Sequence, residues 1–468
     1  MALVSALRRA AIAGSLAFAL LSETGCAGHE RRVKATLEAL DRNAPEQAVA
    51  ALDEELGVAR PEDVPAVKED EALLLLDRAS VQLARGEHKL SARDFGAADQ
   101  GIEILDLSTN AAADIGKYVF SDDAGPYKAP AYEKLLLNTL NLLNYLAMRD
   151  LGGARVEARR LATMQSYVKG QGDESALLGL GSYLAGLAFE KSGRREEALL
   201  HYDDALKFAQ YRSLRDPLRT LTQGKKSRPG IDALVGEAGA LAPLEETGEA
   251  EIIVVVGFGR VPQKMPVRIP IGMALALVGR ELTADQLAQA NALVAQGAVA
   301  FVNYPTLGPG RGGYEVPSFG LDDKPQALEQ ALDVEAQTRE AWHKREGTIV
   351  LSAITRLLAR GVAGAAVQGG TTAAINAASS GNGNDNRNKD GAAALGMLLG
   401  MATSLTLGAL DTPDTRSWST LPARVAIGRV RVPAGKHKVK LSARGMARTF
   451  DVNVPAGGWA VLPYFILR

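Results

Sequence analysis

Apolar positions fall into two regimes along the chain. From about residue 31 to 225, Ala, Leu and an occasional aromatic recur at three- and four-residue intervals, the period of a helix buried on one side. From residue 251 the period changes. Glu251 to Val256 is a β-branched apolar run, the signature of a buried strand, and Ala298 to Tyr304 is a second. Thr283-x-x-Gln286 matches a capping box and predicts a helix to about Ala295. A long helical segment is expected from about Pro325 to Ala378. Arg424–Val432, Lys436–Ala443, Thr449–Val454 and Trp459–Leu467 alternate or run apolar between Pro-Ala-Gly turns and predict a small antiparallel sheet. Residues 213 to 250, rich in Pro, Gly and charge, mark a boundary.

The expected fold class is α + β multidomain. A helical domain spans 26–225, a linker 226–250, a mixed α/β region 251–422 and a small β-domain 423–468. In the helical domain, Gly186, Phe189, Gly193, Ala198, Tyr202 and Ala205 hold the spacing of a tetratricopeptide (TPR) repeat. Small residues let two antiparallel helices approach, aromatic rings fill the groove, and Gly193 permits the turn; Asp203 and Glu197 are expected to point outward. Ala79, Gly86, Ser91, Phe95 and Ala98 hold the same offsets upstream, as do Leu142, Tyr145, Ala154 and Ala158. An earlier copy is expected around Ala35, with Ala48 and Ala51 in its second helix. Three or more such units stack into a TPR-like α-solenoid with a concave surface suited to a protein partner.

A second pattern is a stripe of small residues. Gly361, Ala365, Gly369, Ala373 and Ala377 stand four apart, and Gly396, Gly400, Ser404 and Gly408 repeat the pattern. The two arms of this 361–410 hairpin can approach closely. The Gly391–Leu410 arm is uncharged for 20 residues, about one membrane span. Two readings stay open: a hairpin packed on the soluble body, or one that enters a membrane or self-associates. Gln368, Thr371, Thr372 and Asn376 favour the first.

The N-terminus changes the picture. Arg8 and Arg9 precede the uncharged run Ala10–Leu21, and Thr24-Gly25 leads into Cys26, the only cysteine. This reads as a secretory signal over residues 1–25, resembling a bacterial lipoprotein signal with Cys26 as the acylated first residue of the mature protein. Glu23 occupies a position where an aliphatic residue is usual. Ala27 in the next position points to the outer membrane, with the chain facing the periplasm. The mature body then has no disulfide. With 53 basic and 54 acidic residues, the chain carries no global signal for nucleic acid.

Candidate chemistry is sparse. Gly257-Phe258-Gly259 follows a strand, but the third glycine of a dinucleotide turn is replaced by Pro262. The loop Gly308–Gly313 lacks the lysine of a phosphate loop. Asn386, Asn388, Asp390 and Gly391 mimic a calcium loop, but position 12 is Met397. The five histidines, His29, His88, His201, His343 and His437, are scattered. No metal, cofactor or catalytic activity is expected. Lys436, Lys438 and Lys440 share one strand face, with Arg429 and Arg431 nearby, as a solvated edge or an anionic-surface contact.

Two stretches carry a resemblance. One is Ala131-Tyr132-Glu133-Lys134 with Asn141, Tyr145 and Ala154-Arg155-Val156-Glu157-Ala158-Arg159. The other is Asp414-Thr415-Arg416-Ser417-Trp418 with Leu421-Pro422. Together they resemble an uncharacterised family of Gram-negative envelope lipoproteins with a TPR-like N-terminal half. That resemblance implies no activity. Asp414, Arg416 and Trp418 are expected to form a structural joint, with an Asp414–Arg416 ion pair and Trp418 wedged between helical and β parts. The expected function is a lipid-anchored periplasmic scaffold or adaptor that binds envelope proteins through a helical-repeat surface. The alternative is a membrane-active or self-associating component of an export assembly that uses the 361–410 hairpin.

Overall fold

The computed structural model describes residues 28–60, 62–65, 71–101, 103–104, 127–170, 179–295, 301–311, 316–379 and 413–468. Cys26, and the loop and second arm of the small-residue hairpin, lie outside the described residues. Among the described residues, no helix is long and apolar enough to cross a membrane.

After a four-residue helix, His29–Arg32, come eight longer helices: α1 (Lys34–Asp41), α2 (Pro45–Glu55), α3 (Glu71–Arg85), α4 (His88–Gly101), α5 (Ala131–Ala147), α6 (Leu151–Gly170), α7 (Gly179–Lys191) and α8 (Arg195–Leu206). They pair as four hairpins, each turned by one residue with positive φ: Asn43, Gly86, Arg149 and Gly193. That left-handed residue ends the first helix and reverses the chain in two or three residues. Small residues set the approach. A Cβ at Gly186 would lie 2.5 Å from the Tyr202 ring, and one at Gly153 would lie 2.3 Å from the Tyr145 ring. Ser91 Oγ donates to the Ala79 carbonyl at 2.8 Å, tying α4 to α3.

The first helix of the later pairs is buried all round. Every residue is buried over Ala72–Leu83 of α3, Tyr132–Asn144 of α5 and Gly179–Phe189 of α7. A helix apolar on every side needs cover on every side. Two short helices, α9 (Arg215–Thr222) and α10 (Pro229–Val235), follow, and then β1 (Glu249–Phe258) supplies the centre of that cover.

Beyond β1 lie β2 (Lys264–Pro270), α11 (Ile271–Val278), α12 (Ala284–Ala295), β3 (Phe301–Leu307), β4 (Ser318–Leu321), β5 (Lys324–Gln326), β6 (Glu329–Asp333), α13 (Val334–Ser379), β7 (Arg424–Pro433), β8 (Gly435–Ala443), β9 (Met446–Val454) and β10 (Trp459–Ile466); a two-residue parallel pair, Glu103–Ile104 with Lys128–Ala129, lies earlier, among the helices. One four-stranded sheet runs β10-β1-β7-β6, and a second runs β9-β8-β4-β5. In the first, β10 is parallel to β1, and β7 is antiparallel to it. Ile253, Val255, Val425, Ile427, Val461 and Phe465 share one core with the helices. Ile252, Val254, Val256, Ala460 and Tyr464 pack against Phe319, Val439, Leu441 and Val454 of the second sheet. The layers are helices, sheet, sheet. A separate small core joins the β2–β3 pair to α11, α12 and α13 through Ile271, Val278, Val302, Val350 and Ile354.

The architecture is mixed α/β, and four expectations change. Residues 423–468 are not a separate β-domain, because β1 pairs between β7 and β10. The main sheet is mixed rather than antiparallel, since β10 re-enters beside β1 in the same direction. The helix expected from Pro325 begins at Val334, because 324–326 and 329–333 pair as strands. The 226–250 linker, though largely exposed, is not irregular throughout: it carries two short helices, Pro229–Val235 and Leu244–Thr247, anchored by buried Ile231, Val235 and Leu244. Gly230 N donates to Asp203 Oδ1 at 2.9 Å, which is why Asp203, expected outside, is buried.

Gly186→Ala should cost about 1–3 kcal/mol of stability by overpacking against Tyr202. Gly96→Ala, in α4 with open space at its Cβ, should instead stabilise by up to about 1 kcal/mol through helix propensity. Urea titration of the two variants checks both signs.

Candidate functional site

Residues 414–421 thread between the helices and the sheet. Trp418 is fully buried, its Nε1 donating to Ser80 Oγ of α3 at 3.0 Å and its ring meeting Phe95 of α4 edge-on at 5.7 Å. Thr420 donates to Asp77 Oδ1 of α3 twice, from N at 2.9 Å and Oγ1 at 2.8 Å. Asp414 clamps Arg416 through Nε at 2.9 Å, Nη2 at 3.1 Å and the backbone N at 3.0 Å. Thr415 donates to Glu30, and His29 lies 3.2 Å from Asp77, so the first described residues are pinned beside the same segment. The expected ion pair and wedge are both present. Burying one indole contributes about 4–6 kcal/mol from area removed from water.

A niche opens beside this joint, lined among others by Tyr132, Glu133, Lys264, Trp342, Arg345 and Ser417, with a volume of about 40 Å³. It lies where the N-terminus of α5, the start of β2, the first part of α13 and the motif converge. Glu133 accepts from Tyr127 at 2.5 Å, Tyr132 at 3.3 Å and the Trp418 N at 3.5 Å. Burial pushes its carboxyl above the usual range despite these donors. Burial likewise lowers the Lys264 ammonium and the Arg345 guanidinium. Burial works against ionised Asp414 too, but Lys264 and Arg416 outweigh it and hold the carboxyl below the usual range.

A second charged cluster joins α7 to the sheet. The side chain of Arg429 in β7 is 1% exposed and donates to Glu251 at 2.7 and 2.8 Å, Glu190 at 2.6 Å and the Tyr202 hydroxyl at 3.0 Å. Lys191 bridges Glu190 at 2.8 Å and Glu251 at 2.7 Å. Burial opposes ionisation of Glu190, yet Arg429 and Lys191 prevail and hold it at about 2; Glu251 is lowered for the same reasons. A third cluster lies within the helices, where Arg78 bonds Asp94 and Asp53, each at 2.7 Å.

Gly186 faces Tyr202, Gly193 turns the chain with φ 70°, Ala198 and Ala205 are buried, and Phe189 stacks on His201 at 5.1 Å. Gly257 leaves room for the Phe465 ring, and Gly259, at φ 68°, ends β1. The grouping of Arg429 and Arg431 with the lysine face is corrected. The lysines of β8 are exposed, whereas both arginines project from β7 toward the helices, because alternate residues of that strand face opposite layers. Lys264, Arg345, Arg78 and Glu251 escaped notice in the sequence. The available signal was polar residues inside otherwise apolar runs, such as Arg78 among the leucines of α3. Among the described residues, no His, Cys, Asp and Glu group could hold a metal ion.

Trp418→Ala should cost about 3–5 kcal/mol, and Ser80→Ala about 1–3 kcal/mol by orphaning the indole N–H. Glu190 and Glu251 have folded pKa values below the unfolded value near 4.5, so their contribution is full above pH 4.5 and is lost as pH falls toward 2. Glu133 acts in the opposite sense, favouring the folded state more as it gains its proton. The thermal midpoint should therefore drop steeply below pH 4.5. Arg429→Met should flatten that slope while costing about 3–5 kcal/mol near neutrality.

Comparison with protein-family models, with curated proteins and with solved structures finds no match for this chain.

Proposed function

We propose that this chain is a lipid-anchored periplasmic adaptor, acylated at Cys26, whose TPR-like repeats form a solenoid presenting a protein-binding surface. The surface sits on the outside of the array. In this reading the chain's own sheet takes the place of a partner on the concave side; the packing of β10 on α3 and α5 supports that. The outer helix α6 keeps an apolar–basic stripe. Val156 and Tyr167 are 46% and 44% exposed, with Arg159 and Thr163 exposed between them on the same helix face. That stripe is the observation that carries the reading. It suits an envelope protein with an apolar patch rimmed by carboxylates. The pinning of His29 and Glu30 to the motif supports a short tether from Cys26 to a rigid body.

A self-associating or membrane-active role is the second reading, favoured by α11. Met273 and Leu277 are each 59% exposed one helical turn apart, and Met265 and Val294 are exposed in the same small unit.

Cells making wild type, Cys26→Ala and Val156→Asp should be fractionated after photo-cross-linking from position 167. The adaptor reading expects membrane-bound wild type joined to one envelope protein, release of Cys26→Ala, and loss of the cross-link in Val156→Asp. Membrane retention of Cys26→Ala, or cross-links only between copies of the chain, would contradict it.

A further inference from the structure

The niche beside the motif holds more positive charge than its own carboxylates neutralise. Asp414 uses both oxygens on Arg416. Glu133 accepts from two phenols and a backbone N–H. Lys264 and Arg345 make no direct ion pair among the described residues, and feel the Asp414 carboxylate only from beyond ion-pair distance. Both are half-buried and line the niche. Holding two cations partly out of water without a direct ion pair is costly.

The other lining groups define what would fit. Ser417 adds a hydroxyl, which the Lys264 N–H approaches at 3.4 Å. Trp342 and Tyr132 wall the niche with rings, and Pro262 and Ile349 close it. About 40 Å³ admits roughly three waters or the head of one small anion. An ammonium point charge beside a planar guanidinium fork is the pairing that recognises a tetrahedral oxyanion.

We propose that Lys264, Arg345 and Ser417 form a binding site for a phosphate group, which enters head first with its substituent toward solvent. The phosphate would belong either to a phospholipid headgroup or to a soluble phosphate ester. Glu30, a few residues beyond Cys26, is bonded to Thr415 two residues from Ser417, so a lipid-tethered chain would hold the niche near headgroups. Anion binding here depends neither on acylation of Cys26 nor on a partner at α6.

The test uses the full chain carrying Cys26→Ser, with sodium phosphate as probe against sodium chloride of equal ionic strength. Phosphate should raise the melting midpoint of the wild-type niche by several degrees and shift its tryptophan emission. Lys264→Gln and Arg345→Gln should each weaken phosphate binding at least tenfold in calorimetry. Each should also melt higher than the parent in chloride, since an unpaired cation is gone; a variant that merely failed to fold would melt lower. Trp342→Phe should abolish the emission change while calorimetric binding persists. Co-sedimentation with phosphatidic acid but not phosphatidylcholine vesicles, lost in both charge variants, would assign the phosphate to lipid. Phosphate binding without vesicle binding would assign it to a soluble ester. A parent that responds to phosphate no more than to chloride, or charge variants that bind as the parent does, would overturn the site.

Discussion

Strand β1 is the element on which the rest depends. From Ala250 to Phe258 every residue is buried, so the strand needs apolar cover on both of its faces. The helices supply one cover and the second sheet the other. The requirement runs both ways, because α3, α5 and α7 are also buried all round and have no other layer to meet. Helices and sheet therefore complete each other. Neither layer leaves the other's apolar face to water, and the hydrophobic effect makes their separation expensive.

Polar groups specify how that interface is assembled. An apolar face can slide, but a buried ion cluster has few solutions. Arg429 must meet Glu190, Glu251 and Tyr202 together, and Trp418 must reach Ser80 while Thr420 reaches Asp77. These contacts join residues more than a hundred positions apart. Buried ion pairs add little net stability over apolar packing, but a mismatched one is severely penalised. Their role here is to fix register between layers. At one corner of that interface the first described residues, His29 and Glu30, meet the motif beside the niche.

The helical half was legible because its signals are local. Periodicity places the helix pairs, and Gly186, Gly193, Ala198 and Tyr202 occupy the approach and turn positions their spacing implies. The capping box at Thr283 is realised, with Gln286 N donating to Thr283 Oγ1 at 3.3 Å. Trp418 was legible as a wedge because a lone indole beside an Asp-x-Arg pair has few other uses. What escaped was non-local. Nothing around Glu251 announces that it pairs with Arg429, and nothing in the spacing says that β10 returns beside β1. The sequence put Arg429 and Arg431 only near the lysine face, with no sign of which layer they meet. The niche was invisible for the same reason: Glu133, Lys264, Arg345 and Ser417 come from four distant segments.

Hydrogen exchange on the intact chain is the most direct test that helices and sheet form one cooperative core. Slow-exchanging amides of α3, α5 and α7 should share one opening free energy with those of β1 and β7, and Trp418→Ala should lower all of them by the same amount. Helical amides that keep their protection while the strands exchange freely, in either protein, would show two independent units and contradict the account.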